Sequence, residues 1–160
     1  MIKKLLFSYT KHKSSADLSI INTQLLEKAF ASLNQSYAPY SQFYVGCAVL
    51  LSDNTIINAS NQENAAYPSG LCAERVAVFY AKSQYPNKDI LTIAVVANSK
   101  EFEITEMLTP CGACRQVLSE YEKNQSKSIN LLLSTGKEVY EFPSVQSILP
   151  FSFHPKNLKK

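Results

Sequence analysis

With 160 residues, 46% apolar and 18% charged side chains, the chain has the size and composition to bury one substantial core, and we expect a single domain over 1–160. Its formal charge of +3 comes from scattered lysines and builds no basic stripe for a nucleic acid. No apolar run approaches the ~18 residues that a membrane-spanning helix needs.

In chain order, Met1–Tyr9 carries the charge of a signal peptide, but its apolar run is too short and charge returns at Lys11 and Lys13. Residues 1–16 therefore read as an N-terminal arm or strand of a cytoplasmic protein. Lys3 and Lys4 here, and Lys156, Lys159 and Lys160 at the other end, read as solvated termini. Leu18, Ile21, Leu25, Ala29 and Leu33 recur at helical spacing and predict an amphipathic helix near 17–35. The proline-fixed stretch Tyr37-Ala38-Pro39-Tyr40-Ser41 ends it. Two strand-like runs, 45–51 and 55–60, flank Asp53-Asn54 and predict a β-hairpin. Residues 61–71 form a polar loop long enough to carry function. A helix follows from Cys72, with Arg75, Val76, Phe79 and Tyr80 on one face, and then a buried strand over 91–97. Thr109-Pro110-Cys111-Gly112 opens another helix, with Val117, Leu118 and Tyr121 turned inward. Residues 129–133 make a further buried run, and Val145, Ile148 and Leu149 suggest a short helix after Pro143.

Four cysteines in a reducing compartment point to a metal site or a redox pair before a disulfide framework. Cys72-Ala73-Glu74-Arg75 and Pro110-Cys111-Gly112-Ala113-Cys114-Arg115 each sit where a loop becomes a helix. Unpaired amides and the positive helix end favour thiolate there. Three thiolates with an open fourth position suit a catalytic zinc. Cys47 lies in an apolar strand and reads as core, while His12 and His154 stand near the chain ends and are poor ligand candidates. Glu74, on the first turn after Cys72, is placed to move protons without ligating the metal. By itself it would read as a glutamate favouring the helix dipole. Zinc with three thiolates carries about −1 charge, which a guanidinium on the sulfurs would offset. Arg75 is the first candidate for that task and Arg115 the second.

A cysteine-ligated zinc, a following glutamate and Pro-Cys-x-x-Cys form the signature of nucleobase deaminases. Tyr37–Phe43 with Val45-Gly46, Asn61-Gln62-Glu63-Asn64-Ala65-Ala66-Tyr67, and Leu149-Pro150 leading to Phe153, Pro155 and Leu158 closely resemble segments of the cytidine deaminase family. The resemblance covers about Leu18 to Leu158. It implies a three-layer α/β/α sandwich with a mixed five-stranded sheet. It also implies one zinc per subunit, held by Cys72, Cys111 and Cys114, with Glu74 as the proton shuttle. The reaction it implies is hydrolytic attack at C4 of free cytidine or deoxycytidine with release of ammonia. Asn61 and Glu63 would hold the ribose hydroxyls, Phe43 would wall the base, and Ala73 would also contact substrate. Phe153, with Tyr67, would project into a neighbouring subunit's site within a homotetramer. No nucleic-acid or membrane partner is expected.

Asn54, Ala59 and Gln62 depart from that family's usual residues, glycine being common at the first two places; asparagine tolerates positive φ, so the turn can survive. A related aminohydrolase acting on a cytosine-nucleoside antibiotic is the nearest rival. A structural-zinc module would leave Glu74 without a task, a polynucleotide deaminase would want a basic stripe with aromatics, and a thiol redox protein would ignore Cys72.

Overall fold

Period-two alternation along the central strands sorts the core into two layers. The computed structural model describes residues 1–154 and Leu158, so that Pro155, Lys156, Lys159 and Lys160 lie outside the described residues. The strands are β1 (Thr10–His12), β2 (Phe43–Leu51), β3 (Ile56–Ser60), β4 (Ile90–Ser99), β5 (Asn130–Ser134) and β6 (Val139–Phe142). The helices are α1 (Ile20–Ser32), α2 (Ala73–Gln84) and α3 (Gly112–Lys123). Cys47, Val49 and Leu51 of β2, Ile93 and Val95 of β4, and Leu131 and Leu133 of β5 form one core cluster with α2 and α3. Ala48, Leu50, Ala94, Val96 and Leu132 point the other way, to Leu25, Leu26 and Ala29 of α1.

The result is the α/β/α sandwich that the resemblance implied, but its sheet has six strands, in the order β1-β6-β5-β4-β2-β3. Only β4 and β5 run parallel, joined across α3; the other neighbours are antiparallel. The resemblance implied five strands; the reading of the chain itself had no strand over Val139-Tyr140-Glu141-Phe142, which is short and partly polar, with only Val139 and Phe142 buried. The N-terminal strand falls on Thr10–His12, and Tyr9 before it packs against Tyr140 and Phe142 with ring centroids 6.0 and 5.3 Å apart.

Helix α1 is shorter than 17–35, because Leu18 and Ser19 are extended, with Ser19 capping its start, and its C-terminal end tightens into the 3₁₀ turn Leu33–Gln35. It lies close on β2 at Gly46, where a Cβ would stand 2.1 Å from the Ala29 carbonyl oxygen. Asn54 does adopt positive φ, at 67°, in the β2–β3 turn, and Ala59 sits in β3 opposite Cys47 without one. In α2 the packed face is Ala73, Glu74, Ala77, Val78 and Ala81, whereas Phe79 and Tyr80 are exposed. Small alanines let this helix approach β2 and β3 and set Cys72 and Glu74 against the sheet.

Candidate active site

Cys72 and Cys111 are the N-cap residues of α2 and α3. An N-cap side chain ordinarily accepts a hydrogen bond from the first turn. Neither sulfur does so here, which leaves both free for a ligand. Their carbonyls instead accept from Arg75 N at 3.1 Å and Arg115 N at 2.9 Å, starting the helices. Cys114, three residues into the α3 segment, lies on the same side and is buried. All three Sγ atoms fall within 4.8 Å of one another, and those of Cys72 and Cys111 are 3.8 Å apart. Thiolates placed tetrahedrally about 2.3 Å from a zinc ion stand about 3.8 Å from each other. The donor set and its spacing therefore fit one zinc.

The electrostatics agree. The Cys72 thiol is brought down to about 5, first by the hydrogen bond from Cys114 and, against its burial, by Arg75 and Cys111. The same hydrogen bond and burial push the Cys114 thiol up. Arg75 supplies Nη2 to Cys72 Sγ at 3.6 Å, as the charge argument requires, while its Nε is buried without a partner. Glu74 is only 4% exposed, and burial raises its carboxyl above the usual range, with Cys72 adding to the rise.

A cleft of about 770 Å³ opens over this cluster, floored by Val45 and Val95 of the sheet. Phe43, Asn61, Glu63, Tyr67, Cys72, Glu74, Arg75 and Cys111 all line it. Asn61 Oδ1 accepts from Val45 N at 2.9 Å and its Nδ2 donates to Phe43 O at 2.9 Å. Glu63 accepts from Tyr40 N at 2.9 Å, Ser41 N at 3.3 Å and Ser41 Oγ at 2.5 Å. Desolvation pushes the Glu63 carboxyl upward, but these bonds outweigh it and hold the group below its ordinary value. Gln62 donates its amide to Gln35 O and Ser60 Oγ, each at 3.2 Å, so that its side chain props the loop.

Two of the named residues lie elsewhere. Ala73 is fully buried in the core and is not part of the cleft lining, because its place on the packed face of α2 turns its methyl inward. Phe153 is 57% exposed and stands outside this cleft, its backbone held by the Gln116 amide at 3.0 and 3.1 Å. Arg115, the second candidate for charge tuning, bonds to none of the sulfurs; its guanidinium donates to Pro110 O, Thr109 Oγ1 and Ile148 O. His12 pairs with Glu141 at 2.8 Å and His154 with Lys123 at 2.5 Å, so the histidines are engaged away from the cluster. Cys47 is a fully buried core residue of β2. Phe102, which stacks on Phe43 with centroids 6.2 Å apart, was not singled out from sequence; it lies in an irregular stretch with no periodicity to mark it.

Three thiols converging at two helix N-termini, with a buried carboxylate beside them in an open cleft, define a zinc-hydrolase type of site. The model of the cytidine and deoxycytidylate deaminase zinc-binding region matches residues 20–127. A cytidine deaminase of Sporosarcina psychrophila is 36% identical over 135 residues, 84% of this chain and 93% of that one. The cytidine deaminase of Halalkalibacterium halodurans is 44% identical over 96 residues, 60% of this chain and 68% of that one. Among solved structures, the cytidine deaminase from Burkholderia pseudomallei is 36% identical, with a TM-score of 0.69 over 81% of this chain and 97% of that one. The chain belongs to the cytidine and deoxycytidylate deaminase family.

Proposed function

We propose that this chain is a single-domain cytidine deaminase, hydrolysing cytidine and deoxycytidine to the uracil nucleosides and ammonia. The observation that carries the reading is Glu74, buried beside Cys72, Cys111 and Cys114 at the wall of the cleft. Cys72, Cys111 and Cys114 would hold a zinc ion, which when bound would supply Lewis acidity to activate water. Glu74 takes one proton from the water that adds to C4 and delivers it to the ring nitrogen; it then takes the remaining hydroxyl proton and gives it to the amine as the C4–N bond breaks, leaving a C4 carbonyl and ammonia. Arg75 draws negative charge from the Cys72 sulfur. Phe43, in the lining of the cleft, supplies an aromatic wall for the base. Asn61 and Glu63 present an amide and a carboxylate to the sugar hydroxyls. A contact from Ala73 would go through its backbone, since the methyl is in the core.

The exposed ring of Phe153, outside its own chain's cleft, supports an assembly in which a neighbouring copy completes each site, and we expect a homotetramer; Tyr67, which the resemblance also sent to a neighbour's site, lines its own cleft. Among the described residues no helix is long and apolar enough to cross a membrane. The test is the loss of cytosine absorbance when purified protein meets cytidine, deoxycytidine or cytidine monophosphate, with and without a chelator. Chelator-sensitive turnover of the free nucleosides alone is expected. Zinc-loaded protein that leaves all three untouched would overturn the substrate assignment.

A further inference from the structure

The three sulfurs are not held equally. Cys114 is buried and Cys72 is half-buried, but Cys111 is exposed, at the end of the irregular stretch 100–111 between β4 and α3. The Cys111 side chain itself is not held by the core, although Pro110 before it is buried and Met107 packs on the core, and a segment of this length costs conformational entropy to order. Hydrogen bonds to the backbone just before it add a further hold on its sulfur.

The anchor is on α3. Arg115 Nε donates to Pro110 O at 2.7 Å, the carbonyl immediately before Cys111, and Nη2 donates to Thr109 Oγ1 at 2.5 Å. From the same fork Nη1 donates to Ile148 O at 3.2 Å. One guanidinium therefore ties the ligand-bearing loop to the Val145–Ile148 turn near the end of the chain. That turn is itself rigidly seated. Glu122, 7% exposed, accepts from Val145 N and Ile129 N through Oε1, and from Gln146 N and Ser144 Oγ through Oε2, all at 2.8–3.2 Å. Gln146 Nε2 also donates to Ser119 Oγ at 3.0 Å. Arg115, Ser119 and Glu122 fall at helical spacing on one stripe of α3, so the helix that carries Cys114 grips the turn at three levels.

We propose that Arg115 is a positioning residue for the metal centre, holding Cys111 in place through the Thr109–Pro110 backbone, with the Glu122-seated turn as its footing. The proposal rests on the zinc reading above. Lysine in its place would keep the charge but lose the planar fork that reaches three acceptors at once.

The test loads wild type, Arg115→Lys, Arg115→Ala and Thr109→Val with one zinc or one cobalt(II) per chain and follows release to a chelating dye. Groups that orient metal ligands are worth about 10–100-fold in metal affinity. Release about that much faster is expected for Arg115→Ala, less for Arg115→Lys, and least for Thr109→Val, which removes one acceptor of the three. The thiolate-to-cobalt absorption of the arginine variants should shift as well, a change that loss of fold stability alone would not produce in protein that remains folded. If Arg115→Ala fails to fold, the two milder variants carry the comparison. Wild-type release rates and an unchanged cobalt spectrum in the variants would overturn the clamp and leave the zinc reading standing. A wild-type chain that bound no metal at the cluster would overturn both.

Discussion

The two walls of the cleft are built on opposite principles. On one side, Cys72 and Cys111 cap helices without spending their side chains on capping, so the sulfurs stay available. On the other, Asn61 and Glu63 already bond to the backbone of the segments around them, Asn61 to Phe43 and Val45, Glu63 to Tyr40 and Ser41. The first wall takes its order from regular structure and keeps its chemistry in reserve. The second uses its polar groups to build the loop from which they would also bind. Substitutions on the metal side should therefore cost turnover, and those on the loop side should cost binding and stability together.

That contrast breaks most sharply at the sulfurs. Cys111→Ser is expected to lose the metal and all measurable turnover, read as zinc per chain by elemental analysis beside the absorbance assay. Glu74→Gln should lower turnover by about 10²–10⁴-fold, the usual worth of a positioned acid–base group, while zinc stays bound. Near-normal turnover in that variant would remove the proton-shuttle role. Asn61→Ala should raise KM and also lower folding stability by about 1–3 kcal/mol, since it leaves the Val45 amide and Phe43 carbonyl unpaired. Urea unfolding would check this, and a KM effect without any stability loss would collapse the contrast between the walls. Glu63→Gln is the mildest. Because the folded carboxyl lies below its ordinary value, its stabilisation is present above the unfolded carboxylate range and fades as pH falls through the folded value. The variant should lack that acid-side loss, measurable as a flatter dependence of melting temperature on pH in the acid range.

Much of this was legible in the residues themselves. The cysteine-bearing helix starts, Glu74 and the apolar runs that become β2 and β4 follow from spacing and composition, since each depends on local rules. Other parts needed the third dimension. The α2 face was misleading because its largest apolar residues, Phe79 and Tyr80, point outward while alanines pack. Strand β6 was hidden because only two of its residues are buried. Arg115 looked like a partner for sulfur from its place beside Cys114; its true acceptors, Pro110, Thr109 and Ile148, include one 33 positions away that no local pattern brings near. The doubled duty of Asn61 and Glu63 was likewise invisible, because their backbone partners lie 16–23 positions upstream.

The short strand β1 has a consequence for solubility. It occupies the outer edge of the sheet, pairing Thr10, Lys11 and His12 with β6, and presents a three-residue rim carrying a lysine ion-paired to Glu138. Brief, charged edge strands discourage intermolecular strand addition. Removing the first thirteen residues would bare Val139-Tyr140-Glu141-Phe142, a β-prone segment with unpaired amides and carbonyls, as the new margin of the sheet. Strand β1 thus covers an edge that β6 would otherwise leave open.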